Sequence, residues 1–238
     1  MSKQLKSSFE QILKMGYVKN EHATTKKSVN GHENAIESIF AENSFTSISR
    51  DLYPKPNKKI IKDWAETGNA SEIDLLFKAM PNGTYIPQLL GTQSFPDIFL
   101  KDFDGKYFSI ECKSVKGTAP MWNDNIPTQY GIYVISSGKL NETTVCLGKD
   151  IISPEMTKLR NEITEKLKVV IKDYEQKMKV LDSHERGWYL TYRQQSFQYG
   201  KNQKMANYFS HKDRKKCEQN VLNFVECINT TNTINEKL

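Results

Sequence analysis

Cysteine is scarce in this sequence, long apolar runs are missing, and nothing resembles a linker. Four cysteines in 238 residues, Cys112, Cys146, Cys217 and Cys227, lie far apart with no CxxC pair and no histidine at ligand spacing. That pattern argues against structural zinc and against a secreted disulfide framework, and the four read as reduced, mostly buried thiols. No apolar stretch approaches the roughly 18 residues of a membrane span. The opening MSKQLKSSFEQILKMGY reads as a broken polar helix rather than a signal sequence, so a cytoplasmic protein without a membrane partner is expected. Repeats and low-complexity tracts are absent too, which favours a single domain over residues 1–238 with loop excursions.

What is present suffices for a core: 37% of the residues are hydrophobic, and a chain of this length buries a sizeable interior. Ile36, Ile39 and Phe40 recur at helical spacing in NGHENAIESIFAENSF, with Glu33 and Glu37 one turn apart beside them. KKIIKDWAETG and SEIDLLFKAM are shorter helical candidates, set off by the stretches LYPKPN and PNGTYIPQLLGTQ, which read as surface loops. GIYVISS and TTVCLG carry the β-branched and aromatic residues of strands. Ser153 followed by Pro154 is a helix start. From there Met156, Leu159, Ile163, Leu167, Ile171, Tyr174 and Met178 form a stripe to about Leu181 that reads as core packing. GWYLTYR reads as another strand, and a final helix from Ser210 to about Ile228 aligns Cys217, Val221, Phe224 and Ile228. The expected fold is α/β, a mixed central β-sheet of at least four strands flanked by helices.

The stretch SFPDIFLKDFDGKYFSIECKS, residues 94–114, holds the chemistry. Side chains alternate across a strand, so Glu111 and Lys113 share one face while Phe108, Ile110 and Cys112 share the other. A two-residue turn at Asp104-Gly105 would set Asp97 against Cys112 and mix polar with apolar residues on both faces. A three-residue loop, Phe103-Asp104-Gly105 with Gly105 left-handed, instead pairs Ile98 with Ile110 and Leu100 with Phe108. Asp97 then lies opposite Glu111, about 5 Å away at Cβ. Two facing carboxylates destabilise a sheet, and a divalent cation resolves the repulsion. Carboxylates completed by water and phosphate oxygens suit Mg²⁺. Lys113 beside them could stabilise or help deprotonate an attacking water, which reads as metal-assisted phosphodiester hydrolysis.

Pro96-Asp97, thirteen residues, then Glu111-Cys112-Lys113 resembles the PD-(D/E)xK nuclease superfamily, and in particular type II restriction endonucleases. GTQSFPD and the downstream WNDNIP with GIYVIS are similar to members of that group. The resemblance implies a restriction-endonuclease-like fold, with the catalytic core at about 31–182. It implies that Asp97 and Glu111 bind the metal, that Lys113 assists the water, and that an acid from an earlier helix joins the site. Glu37 is favoured for that role, with Glu33 in reserve. It further implies a homodimer acting on double-stranded DNA at a specific sequence and leaving 5′-phosphates, within a restriction-modification system whose cognate methyltransferase acts on the same site. A structure-specific repair or recombination nuclease, or a DNA-binding protein without catalysis, is the alternative.

From Arg193 to Lys216 seven Lys or Arg stand against one acid, a difference equal to the whole formal net charge of +6. This segment, within a recognition region of about 187–228, offers Arg193, Gln194, Gln195, Gln198, Lys201, Asn202, Lys204 and Arg214 as DNA-binding candidates. Basic groups hold phosphates, whereas Arg, Gln and Asn can also pair with base edges. YPKPNKKIIK is a second, weaker candidate for phosphate contacts. His22, His32, His184 and His211 show no spacing suited to a metal site.

Overall fold

Short β-branched and aromatic runs build a six-stranded mixed sheet, and amphipathic helices cover both of its faces. The structure is a computed structural model that describes residues 3–19, 31–91, 94–122, 126–185, 187, 190 and 207–226. Along the chain come α1 (Lys3–Ile12), α2 (Gly31–Glu42), β1 (Thr46–Ser47), α3 (Lys58–Thr67), α4 (Ser71–Phe77), β2 (Thr84–Pro87), β3 (Ile98–Lys101), β4 (Tyr107–Val115), β5 (Ile132–Ser137), β6 (Glu142–Leu147), α5 (Gly148–Ile151), α6 (Pro154–Leu181) and α7 (Arg214–Glu226). The strands lie side by side in chain order. β1 with β2 and β4 with β5 run parallel, and the other three pairs are antiparallel.

The β3–β4 register is the one the hydrophobic pattern requires: Ile98 faces Ile110 and Leu100 faces Phe108. The turn closes as expected, with Gly105 at φ +84°, where a β-carbon is disfavoured. Asp102 stitches the turn, its carboxylate accepting from the N–H groups of Asp104 and Lys106.

On one face, α1, α2 and α7 pack Leu5, Phe9, Ile12, Ile36, Phe40, Val221 and Val225 against Ile98, Leu100, Phe108, Ile110, Ile132 and Val134. On the other, α3 and α4 bring Ile61, Trp64, Ile73 and Phe77 onto Ile86, Phe99 and Tyr107. Farther along that face Trp122, Tyr133, Ile135, Cys146 and Phe209 form a smaller cluster. The N-terminal helix is therefore part of the core. Cys112, Cys146 and Cys217 are unpaired thiols, and among the described residues no helix is long and apolar enough to cross a membrane.

Three expectations need correction. PNGTYIPQLLGTQ is not wholly a loop, because Thr84–Pro87 is a strand hydrogen-bonded between β1 and β3. Thr84, Tyr85 and Ile86 are all buried, so the segment lacks the alternation that marks a half-buried strand. The stripe of α6 is only partly inward. The helix has the expected start and end, with the Ser153 hydroxyl accepting from Met156 N–H, but Met156, Leu159, Ile163 and Tyr174 are 44–58% exposed, while Leu167, Ile171 and Met178 of the same stripe are half-buried. Its buried positions are instead Thr157 and Arg160, with Thr164 half-buried beside them. The last helix starts at Arg214 rather than Ser210. Val221 and Val225 are buried there and Phe224 meets Phe108 edge-on, while Ile228 lies outside the described residues. The GWYLTYR stretch also falls outside them, save for Gly187 and Leu190.

Candidate active site

The β3–β4 ribbon delivers the acids. Extending its register by one residue sets Asp97 opposite Glu111, and pleating keeps Lys113 on the face of Glu111. The Asp97 side chain is fixed by Cys112, whose backbone N–H donates to Oδ2 at 2.7 Å. Lys113 Nζ lies 2.7 Å from Glu111 Oε1, with both side chains less than a fifth exposed. Glu111 Oε2 is buried with no hydrogen-bond partner. An orphaned carboxylate oxygen in such a place costs free energy unless a ligand satisfies it.

The electrostatics agree. Burial pushes the Asp97 carboxyl well above the usual carboxylate range, and the negative charges of Glu111 and then Glu33 push it further. The Cys112 N–H and the Lys113 ammonium only partly oppose this. Burial, with those same carboxylates, also raises the Cys112 thiol, which is inert here.

Of the two acids on α2, it is Glu33 rather than the favoured Glu37 whose charge reaches Asp97. Both stand on α2, one turn apart, but Glu33 is the one close enough to raise Asp97. It is buried and accepts from Gln88 Nε2 at 3.1 Å. Glu37 turns toward Tyr85, whose hydroxyl donates to it at 3.3 Å. The helical rotation of about 100° per residue separates their two directions by some 40°, enough to send them to different neighbours. Periodicity alone could not choose between them.

Gln88 was invisible in the sequence. It sits at φ +48° just after β2, its N–H donates to the Asp97 carbonyl at 2.6 Å and its side chain holds Glu33. It thus fixes both acids relative to one another. Only long-range pairing creates that role, so no local signal announces it.

The face of Glu111 and Lys113 opens into a cleft of about 680 Å³ between α3 and α6. Glu111, Lys113, Phe95 and Tyr133 line its base, Lys58 and Lys62 one side, and Lys168, Lys172 and Lys179 the other. Lys58 and Lys62 come from the weaker of the two phosphate-contact candidates, whereas the α6 lysines carry no local signal in the sequence, because each stands in a mixed-charge helix. The root of α6 is pinned by polar contacts: Gln129 Nε2 donates to Thr157 Oγ1 and to the Ile152 carbonyl. Buried Arg160 couples electrostatically to Glu66 on α3 and to Tyr133.

Of the DNA-binding candidates, Arg193, Gln194, Gln195, Gln198, Lys201, Asn202 and Lys204 lie outside the described residues. Arg214 does not stand free for a ligand. It donates to Glu218 Oε1 and Glu142 Oε2, each at 2.7 Å, and to the carbonyls of Phe209 and Thr143. These bonds staple α7 to β6, so this arginine is a structural anchor.

Among the described residues no group of three or more His, Cys, Asp or Glu side chains is placed to hold a metal ion. What converges is an open, carboxylate-only pair. Its mutual repulsion and orphaned oxygen suit a hard divalent cation that keeps water and substrate oxygens as its remaining ligands. Comparison with known proteins yields no matching family model, no matching curated protein and no matching solved structure.

Proposed function

We propose that this protein is a Mg²⁺-dependent, sequence-specific double-strand DNA endonuclease of the type II restriction class, acting as a homodimer and leaving 5′-phosphates. The observation that carries the reading is the β3–β4 register, which sets Asp97 against Glu111 with Lys113 on the same face, Glu111 and Lys113 lining a lysine-rich cleft. In a purely structural ribbon that grouping is unfavourable.

Asp97 and Glu111 would hold the cation, with Glu33 close enough to tune it. When bound, Mg²⁺ supplies Lewis-acid polarisation of the scissile phosphate and a more acidic water. The chain's own part is orientation and charge. Cys112 N–H locks the Asp97 carboxylate, and Gln88 holds the Asp97 backbone and the Glu33 side chain together. Lys113, set against Glu111, presents an ammonium where negative charge grows on the phosphoryl oxygens. A methyltransferase protecting the same site would accompany such an enzyme.

The test is digestion of a sequenced phage genome with Mg²⁺, reading the ends of every fragment. Discrete fragments with 5′-phosphates are expected, lost with EDTA and in Asp97→Asn and Lys113→Ala. Glu33→Gln should cost more activity than Glu37→Gln. Intact DNA under Mg²⁺ and Mn²⁺, across several genomes, would overturn the assignment. Cleavage confined to junctions or flaps would shift it to a structure-specific nuclease.

A further inference from the structure

The charge on the two walls of the cleft goes beyond what the catalytic groups require. Six lysines and two glutamates line it, whereas the whole chain carries 34 basic and 28 acidic residues. The excess is arranged as well as large. Lys58 and Lys62 are one turn apart on α3, and Lys168 and Lys172 are one turn apart on α6. Like charges at that spacing repel and weaken a helix.

The lysines on the outside of α6 lie away from the cleft, Lys166 with Glu162 at 2.7 Å and Lys177 with Asp173 at 2.6 Å. Lys168 is paired likewise, with Glu165 at 2.7 Å, and all three are exposed contacts that water and ligands readily replace. What distinguishes Lys168 and Lys172 is their place: one turn apart, they line the wall of the cleft that holds Glu111 and Lys113.

From this juxtaposition we infer that Lys58 and Lys62 on one wall, and Lys168 and Lys172 on the other, form a two-sided phosphate clamp. It grips the backbone of the DNA strand being cut on both sides of the phosphate presented to Glu111 and Lys113. The inference rests on the nuclease reading for the identity of its ligand. A cleft of about 680 Å³ has room for a stretch of one strand's backbone and not for a duplex about 20 Å across, so the clamp holds one strand of the duplex. Lysine suits the task because its ammonium binds phosphate as a point charge without reading the base. The clamp thus sets position and general affinity and leaves sequence choice to other residues.

The test uses the full chain with Asp97→Asn, to prevent cutting, and a fluorescent duplex of arbitrary sequence. Affinity is followed by anisotropy between about 50 and 200 mM salt, since each phosphate neutralised contributes about 0.9 to the slope of log K against log salt. Lys58→Gln/Lys62→Gln and Lys168→Gln/Lys172→Gln should each reduce that slope by about two. The outer pair Lys166→Gln/Lys177→Gln should change it by well under one. Melting temperatures of the clamp variants should stay close to wild type, because substitutions at such surface positions change stability by about 0.5 kcal/mol or less. An unchanged slope in either clamp variant, or an equal loss in the outer pair, overturns the inference. Cleavage by the wild type is scored separately, so active enzyme with an unmoved slope sinks the clamp alone. A reduced slope in a protein that never cuts sinks the nuclease reading and keeps the clamp.

Discussion

Replacing Asp97 by Asn should stabilise the metal-free protein while abolishing the proposed DNA cleavage. In the wild type burial does most to raise the cost of ionising the Asp97 carboxyl, with Glu111 and then Glu33 adding to it, and Coulomb's law bounds the part due to Glu111. Two carboxylates on cross-strand partners about 5 Å apart repel by about 3 kcal/mol at an effective dielectric of 20. Lys113, held by Glu111, offsets part of this, leaving a net gain of about 1–2 kcal/mol for the neutral amide, which can still accept from Cys112 N–H. For a chain of this size that gain is a rise of roughly 3–8 °C in Tm. The gain must also depend on pH in one direction. Because the folded carboxyl titrates above its unfolded value near 3.9, its protonated form is favoured in the fold. The stability it contributes is complete below that value and is lost as pH climbs through the elevated one. Thermal melts of both proteins without metal should therefore diverge as pH rises from about 4 to about 8, the wild type falling relative to Asp97→Asn. Glu37, Glu66 and Asp102 are raised as well, chiefly by burial, but they are common to both proteins and cancel in the difference. Adding Mg²⁺ at the higher pH should lift the wild type, by about 2.7 kcal/mol at a hundredfold excess over Kd, and leave Asp97→Asn in place. A gap that is constant with pH, or an Asn variant that melts below the wild type at pH 8.5, would refute the claim that these carboxylates converge.

Two further outcomes test the framework around the site. Arg214→Ala should act on stability rather than on recognition. It strips Glu218, which is 4% exposed, of its shortest partner while Lys215 and Thr144 remain, so a loss of about 2–3 kcal/mol is expected. Guanidinium melts should show it, and Glu218→Gln in the same chain should recover part of the loss. Gly148→Ala should hardly fold, because the added β-carbon would lie 1.7 Å from the Thr128 carbonyl oxygen. The backbone bonds from Gly148 to Gly131 and from Lys149 to Gln129 leave no room to retreat, and soluble yield with circular dichroism checks this.

What could be read from the sequence was whatever two neighbouring strands decide between themselves. The register of the Asp97–Glu111 ribbon follows from its own apolar pattern and from one glycine, since a one-residue slip would turn every side chain to the wrong face. The helix start at Ser153-Pro154 and the helices at 58–67 and 71–77 are equally local. β2 escaped because Thr84–Pro87 is buried by neighbours distant in sequence, and Gln88 escaped for the same reason. The choice between Glu33 and Glu37 depended on how α2 is rotated against the sheet, which Ile36 and Phe40 fix only as a stripe.

The misreading of α6 goes further, because it bears on how the site works. An apolar stripe predicts a buried face only if the protein has an interior waiting for it, and here the buried row is polar at its root, through Thr157 and Arg160. Those contacts orient the helix about its own axis. With Arg160 facing Glu66 and Tyr133, successive turns carry Thr164, Lys168 and Lys172 over the catalytic face. Leu167 and Ile171 of the apolar stripe line the same cleft beside those lysines. The buried polar root thus fixes the rotation of a helix whose apolar and basic rows share one wall of the cleft, placing positive charge beside Glu111 and Lys113.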